Sequence, residues 1–296
     1  MKEICSMCPR SCKVDRKRCK GFCGMGDKLV VAKAFLHLWE EPCISGKNGS
    51  GTVFFSGCNM RCVYCQNYNI SQEYFGREIS QEQLVKIFME LQAKDAHNIN
   101  LVSPSHFTLQ IKQALDNAKG LKIPVIYNSN GYDSVHSLRM LEGKIDVYLP
   151  DIRYFNDETA LKYSSADKYF KTACEAVLEM YRQVGEPRFD DEGMIVKGLI
   201  IRHLIIPGHV DESKRILEWI RDNLPEGVYV SLMSQYTPYY RCESYPEINR
   251  HITRREYEIV LDYFYKIGLK NGYVQERDSA CEDYIPDFNL EGIKNI

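Results

Sequence analysis

The segment from Phe55 to Asn67, FSGCNMRCVYCQN, contains three cysteines within eight residues, Cys58, Cys62 and Cys65. This C-x3-C-x2-C spacing places three thiols on one short loop. A [4Fe–4S] cube has four irons and takes four protein ligands when it only carries electrons. Three ligands leave one iron open to bind a small molecule, which is also the difference between catalytic and structural metal sites. The segment therefore predicts a catalytic [4Fe–4S] cluster.

Core packing and zinc binding account less well for this cysteine run. Cysteines of cytosolic proteins are mostly buried packing residues, but packing does not explain three of them in eight residues with small or polar neighbours. A zinc site would use C-x2-C pairs with a second pair elsewhere, and residues 58–65 have no such partner close by. The cluster interpretation is therefore favoured.

The run resembles the C-x3-C-x-aromatic-C signature of the radical S-adenosylmethionine (SAM) superfamily, with Tyr64 as the aromatic residue. Residues 46–67 also resemble the activating enzymes of pyruvate formate-lyase. They resemble more closely a branch named after those enzymes, in which a Cys-x2-Cys-Pro-Arg-x-Cys element, here Cys5 to Cys12, precedes the signature. The resemblance covers most of the chain and weakens toward the C-terminus.

This resemblance implies an oxidoreductase that resembles the glycyl-radical activating enzymes. Its [4Fe–4S] cluster would bind SAM through the amino and carboxylate groups and cleave it reductively to a 5′-deoxyadenosyl radical. The radical would abstract hydrogen from a protein or small-molecule substrate. The resemblance also implies a one-electron donor, flavodoxin or ferredoxin, and a partial (β/α)6 TIM-like barrel.

Length and composition are those of a globular chain. The 296 residues suffice for one α/β domain with a small appendage, and the net charge of −2 gives no overall field that would attract nucleic acid. No run of eighteen apolar residues could span a membrane, and the first residues lack a signal-peptide core. Twelve cysteines then indicate metal chemistry rather than disulfides. We expect a cytoplasmic protein with no membrane partner.

From Thr52 onward, short apolar segments alternate with amphipathic ones, which is typical of an α/β fold with a parallel sheet. Helices are predicted at 108–118, 135–141 and 212–224, and after capping boxes that begin at Ser80 and Thr253. The predicted strands are residues 52–55, 98–103, 124–128, 146–149, 199–206 and 228–233, with a last short one at 272–275. We expect residues 51–296 to form the barrel with a C-terminal extension, and residues 1–50 to form a Cys-rich N-terminal cap and lead-in. Within the lead-in, residues 29–39 alternate as a strand or hairpin does, and residues 185–196 are predicted to be a surface excursion.

Ligands of parallel barrels bind at the carboxyl ends of the strands. Ser103, Asn128, Ser129 and Gln235 follow predicted strands, and we expect them to bind SAM. Ser103 stands where most radical SAM enzymes have a Gly-Gly-Glu-like turn that meets the methionine amino group, so this chain departs from that pattern. Helix N-capping explains Ser103 equally well.

The tripeptide Asp151-Ile152-Arg153 resembles the Asp-Leu-Lys motif of the glycyl-radical activating enzymes, with arginine in place of lysine. The resemblance implies that Arg153 pairs with the methionine carboxylate, which a guanidinium can do through two parallel bonds. Asp151 would orient substrate or ligand. The alternative is a solvent-exposed ion pair, which would contribute little. Arg202 lies inside an apolar run, where an unpaired charge is costly, so we expect it to face the site.

The cap is the second unusual feature of the sequence. Cys5, Cys8, Cys12 and Cys23, with Cys19 as a fifth thiol, predict a second metal site, and their spacing is compatible with zinc or with an auxiliary [4Fe–4S] cluster. Residues 10–20 are also basic, which is compatible with nucleic-acid binding, although we favour a solvated face.

A function of another class remains open at this point, namely a metal-stabilised module that binds RNA or protein without turnover. Release of deoxyadenosine from SAM would distinguish it from an enzyme. His37, Glu40 and Glu41 precede the cysteine loop and are either acid–base groups of the site or the surface end of a strand.

Overall fold

The computed structural model describes residues 4–275, 286–294 and 296. A large sheet forms the centre of the fold, with its strands in the order β10-β9-β8-β6-β5-β4-β2-β1-β3 and β7 paired to β8. The strands are β1 (Leu29–His37), β2 (Ser50–Phe55), β3 (Arg77–Ile79), β4 (Ile99–Val102), β5 (Val125–Ser129), β6 (Val147–Pro150), β7 (Arg188–Phe189), β8 (Ile195–Leu204), β9 (Tyr229–Met233) and β10 (Gly272–Val274).

Helices connect most of the parallel strands. They are α1 (Pro42–Ser45), α2 (Tyr68–Ser71), α3 (Gln81–Ala93), α4 (Thr108–Asn117), α5 (Val135–Met140), α6 (Asp157–Ser164), α7 (Tyr169–Val184), α8 (Val210–Asn223) and α9 (Arg254–Lys266). Strands β2, β4, β5, β6, β8, β9 and β10 run parallel, whereas β1 and β3 add an antiparallel edge beyond β2. The sheet is open, with β10 at one edge and β3 at the other. This confirms the predicted α/β fold with a partial TIM-like barrel.

The helix starts follow the local sequence closely. At Ser80 the side chain accepts a hydrogen bond from the backbone N–H of Gln83, whose side chain accepts one from the N–H of Ser80. Thr253 and Glu256 repeat this capping box at α9. Each box satisfies two backbone N–H groups that have no partner inside the helix, which is worth about 1 kcal/mol. Both predicted helix starts are confirmed.

The segment between β6 and β8 differs from the expectation. It holds two helices, α6 and α7, for which no helix was predicted, and α7 buries Ala173, Ala176, Val177 and Met180. The predicted surface excursion at residues 185–196 is in part a hairpin, because β7 pairs antiparallel with the start of β8. A turn closed by the side chain of Asp190, which accepts from the N–H of Met194 at 2.9 Å, joins the two strands.

The cap packs directly on the barrel. Residues 4–28 contain no helix or strand, only a single bridge between Ile4 and Asp15. Cys23 and Met25 are buried in the same apolar core as the barrel strands. Strand β1 falls within the predicted lead-in yet belongs to the main sheet, and the domain boundary at residue 50 stays a prediction. In the part of the chain that the structure describes, no helix is long and apolar enough to cross a membrane.

Candidate active site

A cavity opens at the carboxyl ends of the parallel strands. Side chains from the ends of β2, β4, β5, β8 and β9 line it, and so does Cys65 of the cysteine loop. The predicted residues Tyr64, Asn128, Asp151, Arg153, Arg202 and Gln235 all lie in this lining. The fold therefore brings together residues as far apart in the sequence as Tyr64 and Gln235.

The cysteine loop is fixed from two sides. Gly57, with φ of +83°, approaches the cap so closely that a Cβ would lie 2.6 Å from the carbonyl oxygen of Cys23 and 2.5 Å from Met25. On the other side, the N–H groups of Arg61 and Val63 donate to the carbonyl oxygens of residues 164 and 163 at the end of α6. Only glycine fits this approach without a clash.

The sulfur of Cys58 receives two hydrogen-bond donors. The backbone N–H of Met60 and Nδ2 of Asn130 both lie 3.4 Å from it. Asn130 follows β5, and the next residue, Gly131, has φ of +75° and passes against the backbone of Asp151. The close turn thereby holds the Asn130 amide against the cysteine loop.

The other two sulfurs also have polar neighbours. Ser164 Oγ donates to Cys62 Sγ at 3.0 Å, and Arg153 Nη1 lies 3.4 Å from the same sulfur. The sulfur of Cys65 lies 3.3 Å from Ser71 Oγ. Hydrogen bonds to the sulfurs are among the features by which proteins adjust iron–sulfur clusters.

These thiols suit an iron–sulfur cluster. Each of the three thiolates of such a cluster binds a different iron, so three thiols on one loop suit it. Burial raises the pKa of Cys58 to about 11 and that of Cys65 to about 12, so iron must displace protons from both thiols. With its three thiols and its side open to the cavity, the loop fits a [4Fe–4S] cluster with one open iron.

Asp151 is the centre of a buried ion network beside this loop. Its carboxylate accepts from Arg153 Nε at 3.0 Å and Nη2 at 2.5 Å, and from Arg202 Nε at 2.9 Å. Burial of Asp151 opposes ionisation, but the guanidinium groups of Arg202 and Arg153 outweigh it and hold its pKa below the usual range. The group is therefore a carboxylate at neutral pH.

Arg202 extends the network across the barrel. Its Nη1 lies 3.2 Å from Glu40 Oε2, and its Nη2 donates to Asn128 Oδ1 at 2.6 Å. Burial raises the pKa of Glu40, although Arg202 acts in the opposite direction. The neighbouring His203 bonds through Nδ1 to the carbonyl oxygen of Ile152, on the other side of β8. Arg202 therefore faces the site, as alternation along the strand predicted for one of the two.

Two of the predicted SAM-binding residues do not line the cavity, Ser103 and Ser129. Ser129 ends β5, and its Oγ donates to Asp133 Oδ2 at 2.6 Å and accepts from the N–H of Gly131. Ser103 follows β4 with φ of +58°, and its N–H donates to the carbonyl oxygen of Asn128 in β5. Binding of SAM by these two residues stays a prediction.

Other residues reach the site without a clear sequence signal. Ser164 ends α6, for which no helix was predicted, and Asn130 is not among the predicted site residues. Of the acid–base candidates, Glu40 and His37 line the cavity, whereas Glu41 does not. Burial lowers the pKa of His37 to about 4, so its imidazole is neutral at pH 7. His106 is buried, and its Nε2 lies 2.8 Å from the carbonyl oxygen of Ser56.

Comparisons with known sequences agree with this geometry. Residues 52–220 match a family model described as the radical SAM superfamily. The chain is 34% identical over 275 residues to the uncharacterized protein MJ0674 of Methanocaldococcus jannaschii, which covers 90% of this chain and 75% of that protein. It is 24% identical over 267 residues to the uncharacterized protein MJ0808 of the same organism, covering 82% of this chain and 73% of that protein.

Solved structures share the fold at low sequence identity. SuiB of Streptococcus suis bound to the precursor peptide SuiA gives a TM-score of 0.51 at 13% identity over 74% of this chain and 46% of that chain. SuiB bound to SAM gives 0.51 at 11% identity over 74% and 48%. A mutant of spore photoproduct lyase gives 0.50 at 10% identity over 78% of both chains. This chain spans about half the length of the SuiB chains it matches, so these likenesses concern the fold alone.

Proposed function

This chain belongs to the radical SAM superfamily, and we propose that it cleaves SAM reductively and uses the resulting radical to abstract hydrogen from a protein or small-molecule substrate. The observation that carries the proposal is the cavity itself, which joins Cys65 of the cysteine loop to Asp151, Arg153 and Arg202. One of the three proposed iron ligands, Cys65, and the buried ion network thus border one space at the carboxyl ends of the strands.

Cys58, Cys62 and Cys65 would hold the [4Fe–4S] cluster. When bound there, the cluster supplies the open iron for the amino and carboxylate groups of SAM and the electron that breaks its C–S bond. The protein positions the ligands, excludes water from the reacting centre and places charged groups around it.

Arg153 is the residue to which we assign the methionine carboxylate. It is the cation that contacts both the cysteine loop, through Cys62, and the ion network, through Asp151. A guanidinium has five N–H groups, and the three bonds observed leave two for a ligand. Asp151 keeps the Arg153 side chain in place as a positioning residue.

The remaining lining residues suit the rest of SAM. The amide of Asn128 is held by Arg202 and Glu40, and we assign to it a hydrogen bond with the ribose or the carboxylate. Gln235 and the rings of Tyr64 and Tyr236 lie on the β9 side of the cavity, and we assign to them the adenine end. SuiB, which shares the fold, has been solved with SAM bound.

The reaction proposed is of the glycyl-radical activating kind. Its support is the match of Asp151 and Arg153 to the Asp-Leu-Lys motif and the cap element that precedes the signature. The chemistry needs a low-potential one-electron donor, for which we propose flavodoxin or ferredoxin. It also needs a reducing, oxygen-poor compartment, and we propose the cytoplasm. Nucleic acid is not a partner in this proposal.

Anaerobic SAM cleavage tests the proposal. The protein is reconstituted with iron and sulfide, mixed with SAM and dithionite, and assayed for 5′-deoxyadenosine by mass spectrometry. We expect turnover in the wild type and in Cys174→Ala, which changes a buried cysteine of α7 far along the chain from the loop, and none in Cys58→Ala. An intact cluster without spectral response to SAM and without deoxyadenosine would exclude the enzyme and favour the binding module.

A further inference from the structure

The cap residues fold into two short loops that face each other. In the first, the N–H of Cys5 donates to the carbonyl oxygen of Val14 at 2.9 Å, and the N–H of Lys13 donates to that of Cys5 at 3.1 Å. This pairing closes a loop that carries Cys8 and Cys12. The spacing of these three cysteines is therefore fixed by backbone hydrogen bonds.

The second loop brings the fourth cysteine to the same place. Gly21 and Met25 close it through an N–H···O bond of 3.1 Å, with Cys23 between them. The N–H of Phe22 donates to Cys12 Sγ at 3.3 Å. A Cβ at Gly21 would lie 3.6 Å from both Cys12 Sγ and Cys23 Sγ, so the two sulfurs flank one point.

Burial separates these four thiols from the fifth. Cys8 and Cys23 are buried and Cys5 and Cys12 are half-buried, whereas Cys19 is exposed. Cys12 Sγ and Cys23 Sγ lie equally close to Gly21, and the backbone of Cys5 pairs with that of Lys13, the residue after Cys12. The ligand set that the structure favours is therefore the set without Cys19.

Four cysteine thiolates suit zinc or a [4Fe–4S] cluster. The contact of the cap with the cysteine loop of the barrel favours the cluster, because zinc carries no electrons, whereas a cluster at this position can pass one to the barrel loop.

The cap site adjoins the cysteine loop of the barrel. Arg10 Nε donates to the carbonyl oxygen of Asn59 at 2.8 Å, and the guanidinium lies 3.8 Å from the centre of the Phe22 ring in the second cap loop. The backbone of Cys23 contacts Gly57, the neighbour of Cys58. An electron held by the cap would thus lie next to the barrel cluster.

The outer face of the cap is strongly basic. Residues 1–28 hold eight of the 38 Lys and Arg side chains but three of the 40 Asp and Glu side chains, a net charge of +5, so the remaining 268 residues carry −7. Lys13, Lys17, Arg18 and Lys20 are exposed on this face. Such a patch attracts an acidic protein and increases its association rate.

We propose that the cap is an electron-entry module, in which Cys5, Cys8, Cys12 and Cys23 hold a [4Fe–4S] cluster and the surrounding lysine face docks an acidic one-electron carrier protein. The carrier loses one electron, the cap cluster gains and passes it on, and the barrel cluster is reduced by the same electron. No proton or bond changes in this transfer. The electron-entry role of the cap rests on the proposed function, whereas the binding of a cluster by the four cap cysteines does not.

Metal content tests the ligand set without any turnover. After anaerobic reconstitution we expect about eight irons in the wild type and about four in a Cys58→Ala/Cys62→Ala/Cys65→Ala variant, whose remaining irons would be in the cap. The iron content of Cys12→Ser, a change at a half-buried position, should also fall to about four irons per protein. Cys19→Ser, a change at an exposed position, should keep about eight irons. One zinc with four irons in the wild type, or an iron-free triple variant, would overturn the cap cluster.

Reduction kinetics test the docking face. With reduced ferredoxin as the probe, we expect Lys17→Glu/Lys20→Glu to slow cluster reduction at low salt at least about tenfold. The control variant Lys119→Glu/Lys122→Glu reverses two exposed charges beside the amino end of β5, at the opposite end of the sheet. Ferredoxin should reduce the clusters of this variant at the wild-type rate. Reduction by dithionite should be unchanged in all variants, and added salt should slow only the reaction with ferredoxin.

The outcomes separate the two proposals. Equal rates for both double variants would overturn the docking face, and single-stranded RNA binding that is lost only in the cap variant would then reassign the patch to nucleic acid. If ferredoxin reduces both clusters but neither ferredoxin nor dithionite yields deoxyadenosine, the proposed function fails while the entry module stands.

Discussion

Arg153 Nη1 lies 3.4 Å from the sulfur of Cys62, while the same guanidinium holds the carboxylate of Asp151. The side chain to which we assign the methionine carboxylate is therefore also a neighbour of a cluster ligand. A change at residue 153 should alter SAM binding and the electronic environment of the cluster together, without removing an iron ligand.

Substitutions of Arg153 distinguish the contribution of its charge to SAM binding from the contribution of its hydrogen-bond geometry. We expect Arg153→Ala to weaken SAM binding about 10- to 150-fold, since hydrogen bonds to charged groups contribute about 1.5–3 kcal/mol. Arg153→Lys should fall between Arg153→Ala and the wild type, because lysine keeps the charge but not the fork of donors. Equilibrium binding of SAM to the reconstituted protein measures this, with the exposed Arg254→Ala as control. Loss of iron from both variants, or unchanged affinity, would count against the assignment.

Asp151 should matter for stability as well as for binding. Asp151→Asn leaves two buried guanidinium groups without their common carboxylate, and we expect a loss of about 3–5 kcal/mol in the free energy of unfolding. Asp116 is the matched control, because it too pairs with two cations, Lys112 and Lys144, but on the surface. Asp116→Asn should cost much less. Urea denaturation of the metal-free proteins compares the two, and equal losses would contradict a buried network.

Substitutions of Gly57 and Gly143 by alanine distinguish the cost of backbone strain from the cost of a steric clash. Both have positive φ, +83° and +75°, but a Cβ at Gly57 meets Cys23 and Met25, whereas one at Gly143 meets no atom of the described residues within 4 Å. We expect Gly143→Ala to cost about 1 kcal/mol from backbone strain alone. Gly57→Ala should cost clearly more and should reduce iron uptake by the loop, because the loop must move from the cap. Similar unfolding energies and iron contents for the two variants would refute the contact.

Iron uptake by the barrel loop should depend steeply on pH. The thiols of Cys58 and Cys65, with pKa raised to about 11 and about 12, are protonated below pH 9 and must each lose a proton to bind iron. Apparent affinity for iron should therefore rise with pH, up to about tenfold per thiol per pH unit. Anaerobic iron titrations at several pH values measure the slope in a variant with Cys8→Ser and Cys12→Ser in the cap. A flat profile between pH 6 and 8 would contradict protonated thiols.

Short-range patterns made most of the fold predictable. The capping boxes at Ser80 and Thr253 and the apolar strands depend on neighbours within a few residues, and each lies where the sequence places it within about two to four residues. The cysteine loop and the Asp151–Arg153 motif are equally local. The expectation that Arg202 faces the site followed from the cost of an unpaired charge inside an apolar run, which is also read from neighbouring residues.

The remainder of the site depends on contacts between distant segments. The hydrogen bond from Asn130 to Cys58 and that from Ser164 to Cys62 join residues 72 and 102 positions apart. Ser103 and Ser129 stand at the carboxyl ends of strands, where ligands bind, yet neither lines the cavity. The N–H of Ser103 donates to Asn128 of the neighbouring strand, and the hydroxyl of Ser129 donates to Asp133 in the turn that follows. Whether a side chain at the end of a strand lines the cavity depends on the path of the chain after that strand. The periodicity of the sequence does not predict this path.

The bond between Glu40 and Arg202 has a kinetic consequence. It joins positions 162 residues apart, so it exists only after β8 has joined the sheet, and contacts of this sequence separation form slowly. Cys58, Cys62 and Cys65 are neighbours in any conformation of the chain. A nascent or partly folded molecule therefore already offers iron its three thiols before the charges for SAM have assembled. Maturation then has a defined order, in which metal capture can precede the completion of the cofactor pocket.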